Sequence, residues 1–166
     1  MNQLPDFWRT EIWHPLTVHF PVALLSFATI FIIAGYWTKR SNPMFTGKVL
    51  LIAGTLGAWV AIYTGSLADA VITRQLCDPT VLEDHENGAF TVAWLFTAAS
   101  ALVAIDHFNF LKKFQQILRT VIIALIITGT GFLVYAGHLG ATLVYQQAAG
   151  VYTPSEDCIE FTDPDS

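Results

Sequence analysis

Four long apolar stretches, separated by short polar segments, dominate the pattern of this chain. A bilayer core needs about 20 apolar residues in a helix, within a usual range of about 17–25. Backbone polar groups cannot be left unpaired in lipid, so each stretch predicts a transmembrane helix. The stretches are Leu16–Trp37, Val49–Ala68, Ala89–Ile105 and Val121–Tyr145.

The composition and the short connections set the expected fold. Only 13% of the 166 residues are charged and 54% are hydrophobic, whereas a soluble domain averages about 25% charged residues. Short loops favour an antiparallel bundle. The sequence therefore predicts an all-α, integral membrane, up-down antiparallel four-helix bundle. We expect helices at about 14–37, 48–68, 86–106 and 120–146 within a domain 1–152, followed by an acidic tail, 153–166.

The basic residues predict the orientation in the membrane. Cytoplasmic loops carry an excess of Lys and Arg, and six of the eight basic residues fall in the first and third connections. Both termini are then periplasmic, and the chain is a multi-pass protein of a bacterial inner membrane. Every acidic residue except Asp106 lies on the periplasmic side. The basic residues of the two cytoplasmic loops are Lys39, Arg40, Lys48, Lys112, Lys113 and Arg119.

The two cysteines both fall on the predicted periplasmic side. Cys77 lies in the middle loop and Cys158 in the tail. Disulfides belong to oxidising compartments such as the periplasm, so a Cys77–Cys158 bridge is expected, with two unpaired thiols as the alternative. The chain has no CxxCH segment, which excludes covalent attachment of c-type haem.

Four of the five histidines cluster toward the periplasmic side, and they are the candidate cofactor ligands. The segment WHPLTVHF carries His14 and His19, while His85 precedes the third apolar stretch and His138 lies in the fourth. An ionisable group inside a membrane is usually functional. From a rise of about 1.5 Å per residue, His19 and His138 are the deeper pair and His14 and His85 the shallower one.

Haem b with two axial histidines is the favoured cofactor, because imidazole ligates haem iron and a bundle interior shelters the porphyrin. His19 and His138 are the first choice as ligands. His85 and His14 are the second choice. They could be the ligands in place of His19 and His138, bind a second haem or contact the haem propionates. Gly137 and Gly140 flank His138 and could leave room for the macrocycle, or could serve close helix packing.

Two other functions stay open. The histidines could hold zinc or copper together with Asp84 or Glu86, giving a periplasm-facing metal-dependent enzyme, since three histidines and a water form a catalytic zinc pattern. No HExxH motif supports that alternative. The chain could also be a non-catalytic subunit of a respiratory complex. The sequence shows no internal repeat of useful length.

Three segments resemble a bacterial membrane family catalogued as domain of unknown function 2231. They are HPLTVHFPVALL at 14–25, DHENGAF at 84–90 and GHLGATLVYQQAAGV at 137–151. The resemblance covers nearly the whole chain. It implies four membrane helices, a distant similarity to cytochrome b-type haem bundles, and redox modules such as Rieske-type domains as neighbours. On this resemblance His14, His19, His85 and His138 are the motif histidines. The family's Gly-rich end reads LVYQQAAGV here, a mild departure outside the ligands.

The expected function is that of a membrane-bound b-type cytochrome with one haem favoured and two possible. It would exchange single electrons with a separate redox partner, since no redox domain is attached to this chain. The partner could be a periplasmic protein, a membrane protein or a quinone, and the sequence does not select among them. Lipid is the expected surrounding, nucleic acid is not an expected partner, and a homo-oligomer remains open.

Overall fold

The computed structural model describes residues 10–108, 110 and 112–151. Within those ranges the chain is helical and contains no strand. All four helices are long and apolar enough to cross a membrane, which confirms the predicted four-helix membrane fold. The helices are α1 (Thr10–Thr38), α2 (Ser41–Ile72), α3 (Thr80–His107) and α4 (Gln115–Gln147).

Each helix continues beyond the apolar stretch that predicted it. Helix α2 begins at Ser41 and α3 at Thr80, ahead of the expected starts at 48 and 86. Pro43 lies in the first turn of α2, where the missing N–H of proline costs no helical hydrogen bond. Polar residues continue a helix where it leaves the hydrocarbon, so hydropathy alone underestimates helix length.

The bundle is built from two closely packed antiparallel hairpins. Helix α1 packs mainly on α2 and α3 mainly on α4, with less extensive contact between the hairpins. Glycines allow this close approach: a Cβ on Gly54 would lie 2.7 Å from the Cδ2 atom of Leu25, and one on Gly129 would lie 2.9 Å from the Cε2 atom of Phe96. Small residues let membrane helices approach in this way.

Most buried residues of each helix lie on one face, at spacings of three, four or seven residues. In α1 the row on this face contains Pro21, Leu25, Ala28, Ile32 and Gly35. This spacing keeps one face of a helix turned toward its neighbours. The opposite faces carry large apolar side chains that are exposed, as expected for helices surrounded by lipid.

The two hairpins are related by an approximate twofold symmetry that the sequence does not display as a repeat. The hydroxyl of Thr29 in α1 lies 2.9 Å from that of Thr130 in α4. The equivalent contact on the other side joins Thr55 in α2 to Ser100 in α3 at 3.1 Å. In the same way, the contact of Gly54 in α2 with Leu25 in α1 is equivalent to the contact of Gly129 in α4 with Phe96 in α3. Helices α1 and α3 are therefore equivalent, as are α2 and α4.

A short loop at the end that carries both chain termini joins α2 to α3. The Oδ1 atom of Asp78 accepts hydrogen bonds from the backbone N–H (3.0 Å) and the hydroxyl (2.6 Å) of Thr80. The hydroxyl bond is the main cause that lowers the pKa of Asp78. The backbone N–H of Asp78 donates to Oε1 of Gln147 at 3.1 Å, which ties the loop to the end of α4. Cys77 is exposed in this loop; Cys158 lies outside the described residues.

Candidate functional site

His14 lies in the second turn of α1, on the same row as the buried core residues. Its Nδ1 atom is 2.9 Å from the backbone oxygen of Ala61 in α2. One turn further along α2, Gly65 packs against the imidazole: a Cβ at Gly65 would lie 3.1 Å from Nδ1 and 3.2 Å from Cε1 of His14. The imidazole is thus positioned by a hydrogen bond to the carbonyl of Ala61, and it fits against α2 because Gly65 has no side chain.

His85 repeats this arrangement in the second hairpin. Its Nδ1 atom is 2.9 Å from the backbone oxygen of Ala136 in α4. Gly140, one turn beyond Ala136, lies beside the ring, and a Cβ there would be 3.2 Å from the Cε1 atom of His85. The twofold symmetry of the bundle therefore pairs the two histidines, their two carbonyl partners and the two glycines.

The two imidazoles meet between the hairpins. Their ring centroids are 6.0 Å apart and the ring planes are 84° from parallel. They come from α1 and α3, the diagonal helices of the bundle, which otherwise make little contact. Neither ring is fully exposed. The structure thus brings together one histidine from each half of the molecule.

The carbonyl partners fix which ring nitrogen is available to a ligand. A carbonyl oxygen only accepts hydrogen bonds, so in both rings Nδ1 carries the hydrogen and donates it. In a neutral imidazole the lone pair is then on Nε2. Histidines that bind metals have this same arrangement, because the second-shell bond fixes the tautomer and orients the ring. Both His14 and His85 are prepared for coordination through Nε2.

His19 and His138, the first-choice ligands from the sequence, are not the pair that the structure brings together. Both are exposed, and no ring contact joins them in the described part of the chain. The Nδ1 atom of His19 contacts the backbone oxygen of Pro15 in its own helix. Since a helix turns once per 3.6 residues, His19 is rotated by about 140° from His14.

The spacing of the buried positions along each helix distinguishes the pair His14 and His85 from the pair His19 and His138. Continued toward the ends of the helices, the three-and-four spacing includes His14 in α1, His85 in α3, and Gly65 and Gly140 in α2 and α4. His138 lies two residues from Gly140 and therefore on the opposite face of α4. The sequence interpretation ranked histidines by depth and did not use their direction.

The two candidate glycines have different surroundings. Gly140 contacts His85, whereas a Cβ at Gly137 would meet no atom within 4 Å. A side chain at position 137 would therefore enter open space, and no contact with a described residue requires a glycine there. Sequence reasoning did not identify the backbone oxygens of Ala61 and Ala136, since no side chain marks a carbonyl as a partner.

The described residues contain no group of three or more His, Cys, Asp or Glu side chains that could hold a metal ion. His14 and His85 are a pair without a third protein ligand in this part of the molecule. Asp84 is exposed and Glu86 is half-buried. The pair therefore suits a metal whose other ligands come from elsewhere, such as the four nitrogens of a porphyrin.

The family comparison agrees with the fold. Residues 12–153 match the family model described as "Predicted membrane protein (DUF2231)", so the chain belongs to that family. No curated protein and no solved structure gives a significant match to the chain.

Proposed function

We propose that this member of the DUF2231 family is a b-type cytochrome that holds one haem b between His14 and His85. It exchanges single electrons with a separate redox partner at the periplasmic side of a bacterial inner membrane. The observation that carries the proposal is the pair of imidazoles from opposite hairpins, each with Nδ1 hydrogen-bonded to a carbonyl.

The spacing of the rings suits two axial ligands on one iron. A metal–imidazole bond is about 2.0–2.1 Å long, so two imidazoles that held one metal ion would have to lie close together. The centroids of His14 and His85 are 6.0 Å apart. Axial imidazoles can also be mutually perpendicular, since rotation about the metal–nitrogen bond does not change the donor atom.

The neighbouring helices suit a flat macrocycle between the two rings. Small residues of α2 and α4 lie beside the two imidazoles, namely Ala61, Gly65, Ala136 and Gly140. The contact between hairpins is less extensive than that within them. A bundle interior with small residues on two facing helices is a usual place for a haem.

The residues of the site have separate roles. His14 and His85 would hold the iron, and the carbonyls of Ala61 and Ala136 orient the rings and increase the electron density on Nε2. Haem, when bound, supplies reversible one-electron chemistry. The family resemblance, which implies a distant similarity to cytochrome b-type bundles and Rieske-type modules as neighbours, supports the same class of function.

The visible spectrum of the purified protein tests the proposal. We expect a low-spin b-type spectrum that changes on reduction with dithionite. His14→Ala and His85→Ala should each give high-spin or haem-free protein, because a six-coordinate iron loses an axial ligand. The matched controls His19→Ala and His138→Ala should keep the low-spin spectrum.

Two results would contradict the proposal in different ways. Loss of the low-spin spectrum in His19→Ala and His138→Ala alone would show that the ligands are the other pair. A colourless protein that carries stoichiometric zinc or copper, despite haem supply during expression, would favour the metal-dependent enzyme.

A further inference from the structure

A second polar cluster lies at the end of the bundle opposite the histidine pair, where all four helices contribute one member. Tyr36 is in the last turns of α1, Lys48 in the first turns of α2, Asp106 at the end of α3 and Arg119 near the start of α4. This end carries the two loops predicted to be cytoplasmic. We call these four residues the inner cluster.

The charges of the inner cluster do not balance. Asp106 is buried, and its carboxylate is 3.7 Å from Nζ of Lys48 and 3.6 Å from Nε of Arg119. Both distances exceed the roughly 2.7–2.9 Å of a charge-assisted hydrogen bond. One carboxylate therefore faces two cations without closely pairing either. Asp106 is also the only acidic residue in the sequence at this end.

The hydroxyl of Tyr36 has no partner although it is buried. It makes no hydrogen bond to any part of the chain that the structure describes. A buried hydroxyl without a partner is rare in native structures and often marks an absent water, ion or ligand. The guanidinium of Arg119 lies 5.6 Å from the centre of the Tyr36 ring, so the tyrosine side chain belongs to the same cluster.

Arg119 has donors to spare for a ligand. It approaches Asp106 through Nε, and 44% of its side chain is exposed. The fork of an arginine matches the paired oxygens of a phosphate. Basic pockets between transmembrane helices on the cytoplasmic side are known to bind phosphate headgroups of anionic lipids.

We propose that the inner cluster binds the phosphate of an anionic phospholipid. Arg119 and Lys48 supply the positive charge, the hydroxyl of Tyr36 donates a hydrogen bond to a phosphate oxygen, and Asp106 holds the two cations in place. The site is independent of the histidine pair, and its failure would leave the proposed cytochrome function untouched.

Lipid retention in native mass spectrometry tests the proposal. The detergent-purified full chain is titrated with phosphatidylglycerol and, separately, with phosphatidylcholine. We expect preferential retention of phosphatidylglycerol. Arg119→Gln should weaken its binding by about tenfold or more, the size of one lost hydrogen bond between charged groups. Tyr36→Phe keeps the ring and removes the hydroxyl, and should weaken binding by a smaller factor.

Competition identifies the source of the phosphate. Displacement of phosphatidylglycerol by millimolar inorganic phosphate would mean that the cluster accepts the free anion as well. Retention in its presence would mean that the acyl chains contribute, as expected for a site at the membrane surface. Both results support a phosphate site and differ only in what fills it.

Lys113→Gln is the matched control, because it removes one exposed positive charge from the same end of the molecule outside the inner cluster. It should leave lipid retention unchanged. Equal retention by wild type and Arg119→Gln would overturn the proposal, and so would equal losses in Arg119→Gln and Lys113→Gln. Helical content from circular dichroism identifies a variant that fails to fold, in which case Tyr36→Phe decides.

Discussion

Gly140 and Gly137 offer a matched test of the histidine site, because they lie one turn apart in the same helix and have opposite surroundings. The substitution Gly140→Ala places a Cβ 3.2 Å from Cε1 and 3.5 Å from Nδ1 of His85. Carbon atoms in favourable contact are about 3.5–4.0 Å apart. The imidazole must therefore move by a few tenths of an ångström, which disturbs its hydrogen bond to the oxygen of Ala136.

The expected magnitudes follow from two opposing effects. Replacing glycine by alanine inside a helix is favourable by about 0.8–1.0 kcal/mol. Inserting a methyl group into a packed site costs about 1–3 kcal/mol. Gly137→Ala gains the helix propensity of alanine without the cost of inserting a methyl group, since nothing lies within 4 Å of its Cβ. The two variants should therefore differ by about 1–3 kcal/mol, with Gly140→Ala the less stable.

Thermal unfolding in detergent, measured with and without haem, distinguishes the two variants. Gly140→Ala should unfold at a lower temperature than Gly137→Ala in both conditions, and should show a larger high-spin fraction when loaded with haem. Gly65→Ala should behave in the same way toward His14, whose Nδ1 would be 3.1 Å from the new Cβ. Equal stability and equal spectra for Gly140→Ala and Gly137→Ala would refute the claim that glycine beside His85 shapes the site.

Three further predictions concern the side of the molecule that the sequence predicts to be periplasmic. A reporter fused after Ser166 should be active in the periplasm, and a cytoplasmic reading would contradict the predicted topology. Non-reducing peptide mass analysis should find Cys77 linked to Cys158, whereas two freely alkylated thiols would exclude the bridge. Because its pKa is lowered in the folded protein, Asp78 stabilises the start of α3 above its ordinary pKa of about 3.9 and loses this effect as the pH falls below that value. The protection factor of the Thr80 amide, which is its intrinsic exchange rate divided by the measured rate, should fall in that acidic range, and Asp78→Asn should remove this fall; an unaltered pH profile in the variant would contradict the role of Asp78.

The helices could be predicted from the sequence because lipid imposes a strong constraint on apolar length. The depth of the histidines could not be predicted as reliably, since it depended on where each helix begins. With α3 expected at 86, His85 would precede the helix, whereas α3 begins at Thr80 and places His85 in its second turn. This difference of six residues exceeds the usual boundary error of about 2–4 residues, and it was enough to rank His85 as a shallow residue.

The symmetry of the bundle was hidden for a different reason. Several equivalent positions share a chemical character and a direction but not an identity: Leu25 corresponds to Phe96, and Thr29 to Ser100. Packing requires volume and hydrogen-bonding capacity, which several residue types provide. Identity is kept at scattered positions, which include His14 with His85, Gly54 with Gly129, Thr55 with Thr130, Ala61 with Ala136, and Gly65 with Gly140.

The two-hairpin construction has a consequence for the biogenesis of the protein. Helices emerge from the ribosome in order, and α1 and α2 can pack against each other before α3 exists, since their main contacts are mutual. At that stage the Nδ1 atom of His14 is hydrogen-bonded to the backbone oxygen of Ala61, and the ring does not yet face His85. The pair is complete only when α3 arrives with His85, and the ring of His85 is fixed only when α4 supplies Ala136. A ligand that needs both imidazoles is therefore captured after the last helix has been inserted, and a truncated chain cannot hold it.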